Sequence, residues 1–161
     1  MLIGVVSDTH IPVVAKSLPD ELLEKLKGVD LIIHAGDLVS LSVIDQLKEI
    51  APVEAVSGNM DSFETRQIFP NKKIIDVGKF KIGITHGGGG GHTAHLRALD
   101  AFSNEKVDCI VFGHSHKALN QEYSGILLFN PGSATDRRFS PKTSFGFLEV
   151  NDKITGKIVY L

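Results

Sequence analysis

Five apolar runs in this chain each stop at a short polar cluster, and that recurrence limits the possible folds more than any other feature. Leu2 to Ser7 ends at Asp8-Thr9-His10, and Leu31 to Ala35 ends at Gly36-Asp37. Val53 to Val56 leads into Ser57-Gly58-Asn59-Met60-Asp61, Lys81 to Thr85 into His86-Gly87, and Cys109 to Phe112 into Gly113-His114-Ser115-His116. Short, nearly continuous apolar runs read as strands buried on both faces. Ligands of open α/β sheets sit beyond the carboxyl ends of the strands, so the five clusters are expected to meet in one cleft.

Helical patterns separate the first three strands. Pro19 to Leu26 has proline suited to a first turn and Gly28 just past its end. Ser40 to Ile50 carries Leu41, Ile44, Leu47 and Lys48 at helical spacing, with Ser40 as candidate cap. Strand–helix–strand–helix–strand implies parallel pairing through right-handed crossovers. The second half is richer in strands. Lys73–Val77 and Lys81–Thr85 flank a Gly78-Lys79 turn and read as a hairpin, and His92–Asn104 reads as a helix. Further strands are expected at Leu119–Tyr123, Ile126–Phe129 and Ser144–Val150. Asn151-Asp152 then turns the chain into Lys153–Tyr160. The whole pattern predicts an α/β protein with two packed mixed sheets and helices outside.

At 161 residues, 42% of them hydrophobic and 22% charged, residues 1–161 suit one globular domain. Seventeen basic and nineteen acidic side chains give a net charge of −2, so no general electrostatic pull toward nucleic acid or anionic membrane is expected. No apolar run approaches the roughly 18 residues of a membrane span. The start of the chain lacks the basic and long apolar regions of a signal peptide, and the lone Cys109 suits a reducing compartment, so a cytoplasmic location is expected.

The clusters supply Asp8, His10, Asp37, Asn59, His86, His114 and His116: two carboxylates, one amide oxygen and four imidazoles. Oxygen and nitrogen donors without sulfur suit Mn, Fe, Co, Ni or Zn. Seven donors exceed one tetrahedral site but suit two adjacent ions with one bridging carboxylate, the usual arrangement for in-line phosphoryl displacement. Asp-x-His and His-x-His place alternate side chains on one side of an extended segment, so each pair is expected to reach one ion. Taken singly, each fragment reduces to turn chemistry: Asp8, Asp37 and Asn59 as turn closers, His114 and His116 as a solvated pair. All of them falling after strands, in this order, does not.

As a set, Asp8-x-His10, Gly36-Asp37, Gly58-Asn59-x-Asp61, His86 and Gly113-His114-x-His116 resemble the calcineurin-like metallophosphoesterases. The length and the Asn130-Pro131-Gly132-Ser133 segment resemble the small YfcE-like phosphodiesterases of that superfamily. The resemblance implies a four-layer α/β/β/α sandwich of two mixed sheets. It implies that Asp8, His10 and His116 hold one ion, that Asn59, His86 and His114 hold another, and that Asp37 bridges them. Asp37, Asn59 and His86 are then the candidates for a direct catalytic part. The expected cofactors are two divalent ions, manganese before nickel, cobalt, iron or zinc. The expected reaction is attack by a hydroxide shared between the ions on the phosphorus of a small-molecule ester, most simply a diester. A phosphomonoesterase or nucleotidase using the same site is the nearest rival. The fold also serves a retromer subunit that lost part of its metal shell, which makes a non-catalytic protein-interaction scaffold the rival from another class. A homo-oligomer stays open.

Met60 departs from the family pattern, which often has a histidine there assigned to the leaving group. A thioether cannot donate a proton. Asp61, normally that histidine's partner, is left with closing the turn. His34 reads as a satisfied core histidine, Cys109 as inert core, and Arg137 and Arg138 as a solvated basic pair. His92 and His95 read as exposed residues at a helix start. Gly87–Gly91 reads as a phosphate cradle, a lid or a loop kept clear of side chains.

Overall fold

The computed structural model describes residues 1–161. Its elements in chain order are β1 (Leu2–Val6), α1 (Asp20–Lys25), β2 (Leu31–His34), α2 (Ser42–Lys48), β3 (Val53–Ala55), α3 (Phe63–Ile68), β4 (Lys72–Val77), β5 (Phe80–Thr85), α4 (Ala94–Ala101), β6 (Cys109–Val111), β7 (Leu119–Tyr123), β8 (Ile126–Asn130), β9 (Ser144–Val150) and β10 (Ile154–Tyr160). One five-stranded sheet has the order β10-β9-β1-β2-β3, the other β4-β5-β6-β8-β7. β1, β2 and β3 pair in parallel, whereas β9 runs antiparallel to β1 and β10 to β9. In the second sheet β5, β6 and β8 are parallel, with antiparallel β4 and β7 at the edges.

Strand periodicity sorts the side chains into layers. Ile3 and Val5 of β1 face the same way as their register partners Leu31 and Ile33 of β2. They pack with Ile82, Ile84, Cys109 and Val111 into the core between the sheets. The alternate residues Val6 and Ile32 point outward and are covered by Leu22 and Leu26 of the first helix region and Val43, Ile44 and Leu47 of α2. Ile110 and Phe112 point outward on the second sheet, under Ala94, Ala98 and Phe102 of the α4 region. Helices, sheet, sheet and helix make the expected four-layer α/β/β/α sandwich. The central parallel strands are apolar on both faces because both faces are covered.

Two local expectations change. Ser40 does not cap α2: its hydroxyl accepts from Ser42 N–H at 3.3 Å inside the preceding turn, and the helix follows Leu41. The helix α3 carries no apolar stripe, since Phe63 and Ile68 are exposed, which is why periodicity does not reveal it. Its start is fixed instead by Ser62, whose side chain accepts from Thr65 N–H.

Candidate metal centre

All five polar clusters follow the strands in space as they do in sequence. Asp8 and His10 follow β1, Asp37 follows β2, Asn59 follows β3, His86 follows β5, and His114 and His116 follow β6. The centre therefore sits where the ends of both sheets meet. Ser7, Asp8 and Gly113 mark that junction. A Cβ at Gly113 would lie 2.0 Å from Ser7 Oγ and 2.6 Å from Asp8 Oδ2, so only glycine lets the β6 turn come this near. Gly58 plays the same part beneath Asp37, where a Cβ would stand 2.1 Å from Oδ1.

The backbone beyond the strands is not extended. Asp8, His10, Asp37, His114 and His116 all have positive φ, between 44° and 66°. Such conformations are uncommon outside glycine and cost roughly 1–3 kcal/mol each where the surroundings enforce them. Asp8 and His10 thus converge through left-handed turns, not through the alternation of an extended segment, whereas the expected meeting of His114 and His116 at one ion does not occur and the two part. His116 joins Asp8 and His10, whereas His114 Nδ1 lies 2.9 Å from Asn59 Oδ1.

The donor atoms form two overlapping buried groups, Asp8–His10–His116 and Asp8–Asp37–His86, each with its donor atoms within 4.8 Å of one another. His116 Nε2 is 3.3 Å from Asp8 Oδ1 and 3.2 Å from His10 Nε2. Asp37 Oδ2 is 3.1 Å from His86 Nε2 and 3.9 Å from His10 Nε2. His86 donates Nδ1–H to the Ala35 carbonyl at 2.8 Å, which aims Nε2 into the group. There Nε2 is buried and, despite its nearness to Asp37, too poorly aligned for a hydrogen bond. Buried carboxylates and imidazoles packed this closely, with His86 Nε2 paired to Asp37 only by charge and His116 Nδ1 also lacking an aligned hydrogen bond, are what a cation-binding site looks like before the cation. The residues therefore fit a divalent ion.

Electrostatics follow from this crowding. Burial opposes charge on His86, but Asp37, Asp8 and the Ala35 carbonyl outweigh it and push its pKa up to about 9. Burial alone would raise Asp37, yet the His86 imidazole holds its carboxyl below the usual range. Burial lowers His10 and His114.

Around the donors lies a polar frame that the strand-end pattern only partly reveals. Asp61 does more than close a turn. It is buried, and it accepts from the N–H groups of Asp37 at 3.0 Å, Val39 at 2.7 Å and Gly58 at 2.7 Å. The Asn130–Ser133 segment ties two more loops: Asn130 donates to the Gly113 carbonyl at 2.8 Å and Ser133 Oγ to the Asp8 carbonyl at 2.7 Å. Asp136, unnoticed in the sequence, is 1% exposed and places Oδ2 3.2 Å from His116 Nδ1. Arg138 grips the same carboxylate through Nε and Nη2, so it is not simply a solvated cation, while Arg137 is exposed. The only signal for Asp136 was its place three residues after Ser133, whose Oγ accepts its N–H.

The remaining residues settle quickly. His34 is buried, with Nδ1 accepting from Gly36 N–H at 3.3 Å, so Nε2 carries the hydrogen toward Thr9 Oγ1 at 3.1 Å. Cys109 is buried between the sheets, where burial pushes its thiol up. His92 and His95 are exposed near the start of α4. Above the donors, Met60, Lys117, Arg138 and Phe139 help to line an open cavity of about 490 Å³ that includes His10, Asp37 and His116.

Residues 1–153 match the calcineurin-like phosphoesterase superfamily domain. A probable metallophosphoesterase of Methanocaldococcus jannaschii is 40% identical over 162 residues, covering 99% of this chain and 81% of that relative. An archaeal phosphodiesterase of known structure shares 25% identity with a TM-score of 0.78, covering 100% of both chains. Vps29 of Entamoeba histolytica complexed with zinc shares 28% identity with a TM-score of 0.78 over 99% of each chain. The match over nearly the whole length, on a fold that gathers Asp8, His10, Asp37, His86 and His116 into one buried group with Asn59 and His114 at its rim, means that this chain belongs to the calcineurin-like phosphoesterase superfamily.

Proposed function

We propose that the chain is a cytoplasmic, single-domain phosphodiesterase with a two-ion centre, manganese being the first ion to test. Asp8, His10 and His116 would hold one ion, Asn59, His86 and His114 the other, with Asp37 reaching both. Bound divalent ions lower the pKa of water and neutralise charge on phosphoryl oxygens. The chain's own residues do the positioning. Met60 N–H occupies Asp37 Oδ1 at 2.7 Å, leaving Oδ2 to face His10 and His86. His114 and Asn59 hold each other at the rim. No imidazole stands at position 60, and the exposed Met60 thioether has no proton to give. Release of the alcohol therefore depends on the leaving group itself, and activated aryl esters are expected to react much faster than alkyl ones.

The two overlapping buried donor groups, one of them holding His86 Nε2 without an aligned hydrogen bond, carry this reading. Its test is an assay of manganese-reconstituted protein on matched mono- and diesters, beside Asp37→Asn. The variant is expected to lose metal and most activity, and diesters are expected to be preferred. Wild-type rates in Asp37→Asn would remove the shared carboxylate from the account, and preference for monoesters would favour a phosphatase. One observation supports a protein-interaction scaffold instead: Phe63 is 78% exposed and Met60 53%, close in sequence to Asn59, on a chain similar to Vps29. Failure to take up metal, with retained partner binding, would select that reading.

A further inference from the structure

A second cavity, of about 460 Å³, meets the mouth above the donors at Asn59 and is also lined by His86, so it opens directly onto the centre. Arg66 of α3 and Arg97 of α4 face it together with Ser57, Asn71 and Thr85, and Ala101 is its single apolar member. No aspartate or glutamate lines it. Each guanidinium is anchored by main-chain carbonyls: Arg66 Nη2 donates to Asn59 at 2.6 Å, Arg97 Nε to Gly87 at 2.7 Å, and Arg97 Nη1 to His92. Neither arginine forms an ion pair, although Lys25, Lys27, Lys72, Lys73, Lys81 and Arg138 all do.

A carbonyl accepts a hydrogen bond but does not neutralise charge. A guanidinium has five N–H donors, so both keep donors to spare. Two uncompensated, pre-oriented cations beside hydroxyl and amide groups select an anion that accepts forked hydrogen bonds, and phosphate is that anion. The size is ordinary for a small-molecule site. No Phe, Tyr or Trp lines it, and its one ring, His86, belongs to the donor group, so the cavity offers polar and cationic contacts rather than a stacking platform. The carbonyls that hold the arginines belong to Asn59 and Gly87, so an occupant would also steady the loops carrying Asn59 and His86.

We infer that this cavity binds a second phosphate of the substrate, carried on a hydroxylated carbon skeleton, while the ester to be cleaved lies over Asp8 and Asp37. The inference rests on the phosphoesterase reading of the neighbouring centre. Calorimetry on the manganese-loaded full chain, with glycerol 1,3-bisphosphate against glycerol 1-phosphate, measures the preference directly. A preference of roughly tenfold or more for the bisphosphate is expected. Ala101→Glu puts a carboxylate into the cavity while leaving the arginine–carbonyl bonds in place, and should abolish the preference. Ala101→Gln, of the same size without the charge, should keep it. Equal affinity of the wild type for both probes overturns the assignment, as does a preference that survives Ala101→Glu. A parallel assay uses 4-nitrophenyl diesters of glycerol with and without the second phosphate, and faster turnover of the former is expected. No hydrolysis of either, with the binding preference intact, overturns the phosphoesterase reading and leaves the phosphate pocket supported.

Discussion

Two single residues carry consequences of opposite kind. Asp136 touches no other donor group, yet its Oδ2 sits 3.2 Å from His116 Nδ1, and Arg138 holds that carboxylate charged. His116 Nδ1 is buried without an aligned hydrogen bond in the metal-free protein; a carboxylate behind a metal-ligating imidazole orients the ring, and loss of such a partner typically costs 10–100-fold in metal affinity. Asp136→Asn should therefore weaken manganese binding by roughly that factor while leaving thermal stability of the metal-free protein nearly unchanged, measured by calorimetry and melting; unchanged affinity would reduce Asp136 to a loop anchor. His34 is the second case. Burial, opposed only in part by Asp8, lowers its pKa to about 4 against an ordinary 6.5. The unfolded chain binds this proton near pH 6.5 and the folded chain does not, so the stability it contributes is complete above pH 6.5 and is lost as pH falls toward 4. Between pH 7 and pH 5 the loss from this group is about 2 kcal/mol. His10 and His114, also lowered, act in the same direction. The comparison is therefore the slope of His34→Gln, which should fall short of the wild-type slope by that amount in urea unfolding at the two pH values. Parallel slopes would mean that His34 titrates normally.

At the scale of elements, the loops after β2 and β3 are joined by one side chain. Asp61→Ala would strip partners from the N–H groups of Asp37, Val39 and Gly58. Unmade buried hydrogen bonds cost about 1–3 kcal/mol each. The variant should therefore lose more than 3 kcal/mol and most metal binding, because Asp37 and Asn59 both move. The neighbouring cap offers the contrast. Ser62→Ala removes the cap bond from Thr65 N–H and a hydroxyl contact with Thr65 Oγ1, and should cost about 1 kcal/mol with metal binding retained. Similar losses in urea melts of the two would sink this ranking. The difference also explains what the sequence could disclose. Each strand end was legible because an apolar run stops abruptly at polar residues. The helix α3 was not, because Phe63 and Ile68 face solvent and leave no periodic stripe. Asp136 lies in a polar stretch between β8 and β9 with no strand before it to point at the cleft. The antiparallel union of β9 with β1 joins residues such as Leu2 and Glu149, and no local pattern records so distant a partner.

Across the whole molecule, the donors come from both sheets. Asp8, His10, Asp37 and Asn59 follow strands of one, and His86, His114 and His116 follow strands of the other. An ion held by both ties the two halves of the sandwich together, and the unfolded chain offers no such site. Binding to the folded state alone adds about 2.7 kcal/mol at a hundredfold excess over Kd. For a domain of this size each kcal/mol moves Tm by about 2–4 °C, so each bound ion should raise Tm by about 5–11 °C. The same ion competes with a proton. His86 Nε2 must be free of hydrogen to bind metal, and in the metal-free protein its pKa is about 9. Its imidazolium stabilises the metal-free fold below pH 6.5, and that contribution disappears as pH rises through 9. Metal binding should consequently release a proton at pH 7.5 and tighten by about tenfold per pH unit up to about pH 9. Melting curves with graded manganese at pH 7 and 8, then with excess chelator, measure both effects. The shift should grow with pH, reverse on chelation and shrink in His86→Ala. A Tm indifferent to manganese at either pH would mean that these seven side chains share a cleft without sharing an ion.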